Sequence, residues 1–187
     1  MTWDMVLVFG FGLLTGSFVN VLIHRLPRMV MTEHTPDTEA PRYDLCWPAS
    51  HCPHCHTPLK IWHNIPLLSF AWLRGRCGFC SHAIGLQYPV IELSTGLIWL
   101  LCSWHWGVNA TGFCWASFVT ALLALSVIDW QTTLLPDDLT QSLLWGGLIA
   151  SALNWLPLPL QQSVWGAVIG YTSLWAVAAA FERITGN

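Results

Sequence analysis

Residues 5–23 read MVLVFGFGLLTGSFVNVLI, a stretch without a charged side chain. Roughly 17 to 25 helical residues cross the hydrocarbon core of a bilayer. In lipid the stretch has to be helical, because a lone strand would leave its backbone groups unpaired. No basic segment precedes it and no small-residue cleavage site follows it. We therefore predict a retained transmembrane helix rather than a signal peptide.

Further apolar stretches along the chain predict the same structure. With 54% hydrophobic and 9% charged residues, a soluble protein of this size could not bury its apolar surface. Pro157 and Pro159 are expected to end or kink the fourth span. The sequence predicts an all-α polytopic membrane protein with about five transmembrane helices. The later spans are residues 89–108, 112–128, 139–160 and 164–181.

The basic residues predict the topology. Cytoplasmic loops of membrane proteins carry an excess of Lys and Arg. We therefore expect residues 1–23 to form the first transmembrane helix, residues 24–88 a small cytoplasmic zinc-ribbon-like loop domain, and residues 89–187 a four-helix membrane part. The turn at residues 129–138 then returns to the cytoplasmic side. Six of the seven Lys and Arg lie between residues 24 and 88: Arg25, Arg28, Arg42, Lys60, Arg74 and Arg76.

Four cysteines in this loop form two Cys-x-x-Cys knuckles: Cys52, Cys55, Cys77 and Cys80. Two such knuckles complete the tetrahedral shell of a structural zinc site, which leaves no open position for a water. A pair of disulfides is disfavoured by a reducing cytoplasm, and a thioredoxin-like redox pair would need a βαβ setting that is absent. A Cys₃His variant remains an alternative, because several histidines lie nearby. Cys46 is a spare ligand or a free thiol.

Acidic residues at the span boundaries are candidates for chemistry. Asp129 directly follows an apolar run, at the helix end where the dipole disfavours an acid, so a functional role is the better explanation. Asp137 and Asp138 precede the fourth span, where helix capping explains a carboxylate. For Glu92, near the start of the second span, structural and functional explanations are both open.

Together these residues resemble the type IV prepilin peptidases, a family of polytopic membrane aspartic proteases. The similarity covers nearly the whole chain in the right order. Beyond the two knuckles, it is carried by Gly16-Ser17-Phe18, Asn20-Val21, Arg25, Pro27, Asn64-Ile65-Pro66, Ser69, Arg74-Gly75-Arg76-Cys77, Tyr88-Pro89, Glu92, and Asp129 with Leu135-Pro136-Asp137.

The resemblance implies an enzyme of the bacterial inner membrane that cleaves the leader peptides of prepilins or pseudopilins at the cytoplasmic face. It also implies methylation of the new N-terminus from S-adenosylmethionine, a structural zinc ion, and Asp129 as the first catalytic aspartate. The family's second aspartate lies in a Gly-x-Gly-Asp motif, which these 187 residues do not contain. We therefore expect Asp129 to need a partner carboxylate from elsewhere, and the sequence leaves open whether these residues alone are active.

Two other functions compete with the peptidase. One is a non-catalytic membrane-anchored zinc module that binds pilus or type II secretion assembly partners. The other is a membrane-tethered regulator whose zinc ribbon touches nucleic acid. The second is disfavoured because four acids dilute the basic residues of the loop, so we expect no nucleic-acid partner. The sequence does not define the oligomeric state.

Overall fold

The computed structural model describes residues 2–33 and 43–186, and these residues are mostly helical. They form no β-strand, only two isolated bridges, so the predicted all-α class is confirmed. Three helices are long and apolar enough to cross a membrane: α1, α4 and α6. The helices are α1 (Thr2–Glu33), α2 (Leu68–Trp72), α3 (Gln87–Trp106), α4 (Ala110–Thr132), α5 (Asp137–Ala152) and α6 (Leu160–Thr185), with a 3₁₀ turn at Ile61–Asn64.

Helices occupy all five of the apolar stretches, but two boundaries differ from the expected ones. α1 continues to Glu33, so the boundary expected after residue 23 lies inside a helix that includes Pro27. α5 ends at Ala152, well before Pro157. At its end the N–H of Trp155 donates to the carbonyl of Ala150 over 2.9 Å. With 16 residues, α5 is about 24 Å long, shorter than a typical bilayer core.

The chain divides into two compact units, Met1–Leu139 and Thr140–Asn187. In the first unit α3 packs against both α1 and α4. Two hydrophobic clusters fill this bundle. One contains Val19, Ile23, Leu26, Ile91, Ala124 and Ile128, and the other contains Val8, Trp99, Cys102 and Ala116. In the second unit, the Ser151 hydroxyl donates to the carbonyl of Leu158 over 2.7 Å, just beyond the end of α5.

Contacts between side chains establish the directions of the three packed helices. Asn20 in α1 donates to the carbonyl of Tyr88 at the start of α3 over 3.2 Å, so these two helices are antiparallel where they pack. Gln131 near the end of α4 donates to Gln87, also at the start of α3, over 2.8 Å. The latter part of α1, the start of α3 and the end of α4 therefore meet at one end of the bundle. We call it the loop end, because residues 43–86 join it.

The closest contact between α1 and α3 lies at two glycines. A methyl group on Gly16 would lie 2.7 Å from the Cα of Glu92, and one on Gly12 would lie 2.8 Å from the Cβ of Trp99. Such a Gly-x-x-x-Gly pair lets two membrane helices approach with their backbones in contact. The Gly12-x-x-x-Gly16 pattern in the sequence is a signal for this contact.

Replacing Gly16 by alanine should weaken this packing, because the new methyl group meets backbone that cannot move aside. We expect Gly16→Ala to lower the free energy of unfolding by about 1–3 kcal/mol. Gly10→Ala is the matched control, since nothing lies within 4 Å of a methyl group there. Unfolding of the detergent-purified protein by SDS, followed by circular dichroism, measures both. Equal midpoints for the two variants would contradict the assigned contact.

Candidate functional site

The two cysteine knuckles have the same backbone structure. In the first, the N–H of His56 donates to the carbonyl of Cys52 over 2.9 Å. In the second, the N–H of Ser81 donates to the carbonyl of Cys77 over 3.0 Å. His56 and Ser81 both have a left-handed backbone, with φ of 55° and 58°. Each knuckle is closed by one antiparallel bridge, His51 with Pro58 in the first and Arg76 with Ala83 in the second. The two sulfurs of each knuckle lie close together.

The four thiols of the knuckles converge on one point. The Sγ atoms of Cys52, Cys55, Cys77 and Cys80 all lie within 4.8 Å of one another, and the group could hold a metal ion. The Sγ atoms of Cys52 and Cys80 are 3.9 Å apart. A tetrahedral zinc–thiolate shell with bonds of about 2.3 Å has sulfur–sulfur edges of about 3.8 Å. The sulfur geometry therefore fits a single tetrahedral ion.

The electrostatics of the four thiols favour a cation among them. Hydrogen bonds from the side chain and backbone of Thr57 lower the pKa of Cys55 to about 6. The backbone N–H of His82 lowers the pKa of Cys80, but burial and the neighbouring sulfurs outweigh it and raise that pKa to about 11. Four negative thiolates repel one another at this separation. A divalent cation among them removes the repulsion and allows all four to ionise.

The other candidate ligands of the loop lie outside this group. His54 stacks on His82 with ring centroids 4.4 Å apart, and His51 lies 5.9 Å from His56. Among the histidines in the described part of the chain, none belongs to the set of converging ligands, which argues against a Cys₃His site formed by these residues. Cys46 is an exposed free thiol.

Arg25 links α1 to the beginning of the loop. Its guanidinium donates to the carbonyls of Asp44, Leu45 and Pro48, over 2.9, 3.3 and 2.6 Å. The side chain is only 9% exposed. Because α1 continues past residue 23, Arg25 is held on a rigid helix while it caps these carbonyls. Sequence reasoning placed Arg25 in a motif without a role, and nothing local in the sequence indicates its partners.

Glu92 links α3 to the later part of the loop. Its Oε2 accepts a hydrogen bond of 2.9 Å from the N–H of Leu67, the residue before α2. Leu67 has φ of 57°, a conformation that costs energy for a leucine. Glu92 is 9% exposed and lies directly behind Gly16. The contacts of Glu92 therefore support a structural role for this acid.

Asp129 lies at the loop end of the bundle and is exposed. It follows Ile128, a fully buried member of the hydrophobic cluster, and its carbonyl accepts the N–H of Thr133 that ends α4. Asp137 and Asp138 occupy the first turn of α5, as expected for residues that stabilise a helix start. Leu139 packs against the cluster that contains Ile128, so this turn also lies at the loop end.

These features define a class: a helical membrane protein in which a loop with a Cys₄ group that could hold a metal ion and a boundary aspartate lie at the same end of the bundle. Residues 10–106 match the model of the bacterial peptidase A24 N-terminal domain, and residues 116–186 match that of the type IV leader peptidase family. The chain therefore belongs to the bacterial type IV leader peptidase family.

Relatives support this assignment. The chain is 46% identical to the prepilin leader peptidase/N-methyltransferase of Dickeya chrysanthemi, over 94% of this chain and 65% of that protein. It is 40% identical to the proteins of that name from Pseudomonas putida and Neisseria gonorrhoeae, over 94% of this chain and 64% and 65% of theirs. The chain thus spans less than two thirds of these relatives. No solved structure matches it.

Removing the Glu92 carboxylate should release the segment before α2. In Glu92→Ala the N–H of Leu67 loses its acceptor, and a hydrogen bond to a charged group contributes about 1.5–3 kcal/mol. We expect amide hydrogen exchange at Leu67 to accelerate at least about tenfold. Glu92→Gln is the matched control, because its amide oxygen still accepts a hydrogen bond. Unchanged exchange in Glu92→Ala would refute the positioning role.

Proposed function

We propose that this protein is the peptidase of a prepilin-processing system, a membrane aspartic endopeptidase that cleaves prepilin or pseudopilin leader peptides and N-methylates the new N-terminus. The observation that carries the proposal is the pair of family matches, which together extend over most of the chain. The names of the relatives support the two activities. They do not favour the alternative of a non-catalytic zinc module for pilus or type II secretion assembly.

The proposed cleavage needs two carboxylates close together. One is ionised and takes a proton from the attacking water, while the other is protonated and polarises the scissile carbonyl. We assign Asp129 to one of these roles. Its position directly after the buried Ile128 supports the assignment, because the core packing around Ile128 holds the end of α4 in place while the side chain of Asp129 stays accessible.

The second carboxylate is proposed to come from a Gly-x-Gly-Asp segment, a motif that these residues do not contain. Asp137 and Asp138 are the competing candidates, since they lie at the same end of the bundle. Their place in the first turn of α5 explains them as residues that interact with the helix dipole. We therefore assign them no catalytic role.

We further propose that the Cys₄ group holds a structural zinc ion. Four thiolates satisfy the ion completely, so it would supply stability rather than an activated water. Its two ligand pairs lie on separate knuckles, which the ion would join. The described residues form no strand, so no strand-to-helix glycine turn is present to hold S-adenosylmethionine. The methyl-donor site is proposed for the loop near the knuckles.

The proposed location is the bacterial inner membrane, with the loop in the cytoplasm. The excess of basic residues in residues 24–88 supports this orientation. Asp129 lies at the loop end and would then meet leader peptides at the cytoplasmic face.

Leader cleavage tests the role of Asp129. We would assay membranes that contain either this chain or a chimera that appends the remaining segment of the Dickeya chrysanthemi relative. In the active form, Asp129→Asn should lower the cleavage rate by about 10²-fold or more, because one acid–base partner is lost. Asp138→Asn is the matched control and should cleave within a few-fold of the parent. Equal cleavage by the parent and Asp129→Asn would refute the assignment.

Metal content tests the cysteine site. We expect one zinc per purified chain by mass spectrometry of the metal, falling to nearly none in the Cys52→Ser, Cys55→Ser double variant. Cys46→Ser removes a thiol from the same loop but outside the group, and should retain the zinc. Zinc retained in the double variant would remove the Cys₄ assignment.

A further inference from the structure

A second feature of the loop is a set of large apolar side chains that are exposed to solvent in and before α2. It consists of Trp62, Leu68 and Trp72, which are 60%, 68% and 88% exposed. Trp62 also carries the ammonium group of Lys60 over its ring, 5.4 Å from the centroid. We call these three side chains the α2 surface. Apolar side chains this exposed are unfavourable in water and indicate an apolar or interfacial partner.

The position of the α2 surface along the bundle is defined by α3. The hydrogen bond between the N–H of Leu67 and Glu92 joins the start of α2 to the second turn of α3. The apolar stretch of α3 begins at residue 89. Leu68 therefore lies beside the boundary at which the apolar stretch of α3 begins. A five-residue helix is only about 7.5 Å long, so Trp72 stays close to that boundary.

Basic residues follow α2 directly. Arg74 and Arg76 line a cavity of about 510 Å³, together with Leu73, Cys77, Gly78 and Ser81. Neither guanidinium has an ion pair or hydrogen bond to a residue that the structure describes. Residues 45–91 contain Lys60, Arg74 and Arg76 but no Asp or Glu. The acid that contacts this segment, Glu92, is only 9% exposed, whereas Arg74 and Arg76 are exposed, so the accessible charges beside the apolar side chains are basic.

The backbone holds the two arginines next to the α2 surface. The N–H of Gly75 donates to the carbonyl of Phe70 in α2 over 2.9 Å, and its carbonyl accepts the N–H of Ile84 over 2.8 Å. Gly75 has φ of 69°, a conformation that a side chain would disfavour, and a methyl group there would lie 3.1 Å from the Phe70 ring. The turn therefore places Arg74 and Arg76 directly after α2, on either side of Gly75.

We propose that the α2 surface lies in the headgroup layer of the bilayer, where Arg74 and Arg76 bind the phosphate of an anionic phospholipid. Tryptophan favours this layer, and anionic lipids attract basic residues near it. A phospholipid matches both the α2 surface and the basic residues beside it. Its acyl chains cover Leu68 and Trp72, while its phosphate binds Arg74 and Arg76. A soluble anion would leave the apolar side chains in water. The inference does not depend on the proposed peptidase activity.

Native mass spectrometry of the full chain in detergent tests the headgroup site. We would titrate phosphatidylglycerol, phosphatidylcholine and inorganic phosphate separately. Phosphatidylglycerol should bind best, and Arg74→Gln with Arg76→Gln should raise its Kd about 30-fold, since two cations facing the phosphate are lost. Arg183→Gln, which removes a cation from the end of α6, is the matched control and should leave that Kd within a few-fold.

Two results would overturn the proposal. One is wild-type affinity for phosphatidylglycerol in the double variant with its zinc content unchanged, which shows an intact loop without the site. The other is binding of inorganic phosphate that depends on the same arginines and is as tight as that of the lipid, which would make the cavity a soluble-anion site. A photoreactive benzoylphenylalanine at position 72 gives an independent readout. It should form lipid adducts in intact membranes, and their absence would place α2 outside the headgroup layer.

Discussion

The contact of α1 with α3 at Gly12 and Gly16 sets the relative position of the two helices that hold the loop. Lipid supplies little hydrophobic force between helices, so close packing of small residues and buried polar contacts hold them together. The contact brings Glu92 directly behind Gly16, and Asn20 within hydrogen-bonding distance of the Tyr88 carbonyl. Both polar residues lie at the loop end, so the glycine contact also positions the segment that carries the cysteines.

The loop depends on these helices because it has little core of its own. Within it, Cys52 and Cys77 are buried while many large apolar side chains are exposed. Arg25 holds its beginning and Glu92 holds its later part, each through backbone groups rather than side chains. Loop carbonyls and N–H groups bound in this way are satisfied near the membrane, where unpaired backbone groups are costly. A metal ion between the knuckles would stabilise the remaining middle part.

The sequence predicted those parts of the site that depend on local structure. A Cys-x-x-Cys knuckle closes through hydrogen bonds within five residues, so the spacing alone identified the four thiols that converge. The apolar stretches identified the helices for the same reason. The continuation of α1 through Pro27 was not predictable in this way. It accompanies contacts that are distant in the sequence, since Arg25 on this part of the helix binds carbonyls about twenty residues further on. The Glu92–Leu67 bond, over an even longer separation, was also beyond a local pattern.

The unbroken length of α1 has a mechanical consequence. Its 32 residues extend about 48 Å, and the apolar stretch at residues 5–23 accounts for about 28 Å of that length, so the later turns, which carry Arg25, continue beyond the hydrocarbon core. Arg25 lies on this helix and donates hydrogen bonds to three loop carbonyls. Any change in the tilt of α1 would therefore also move the start of the loop. The start of the loop therefore shares the orientation of α1, and a rotation of that helix within the bilayer would displace the backbone that precedes the first cysteine knuckle.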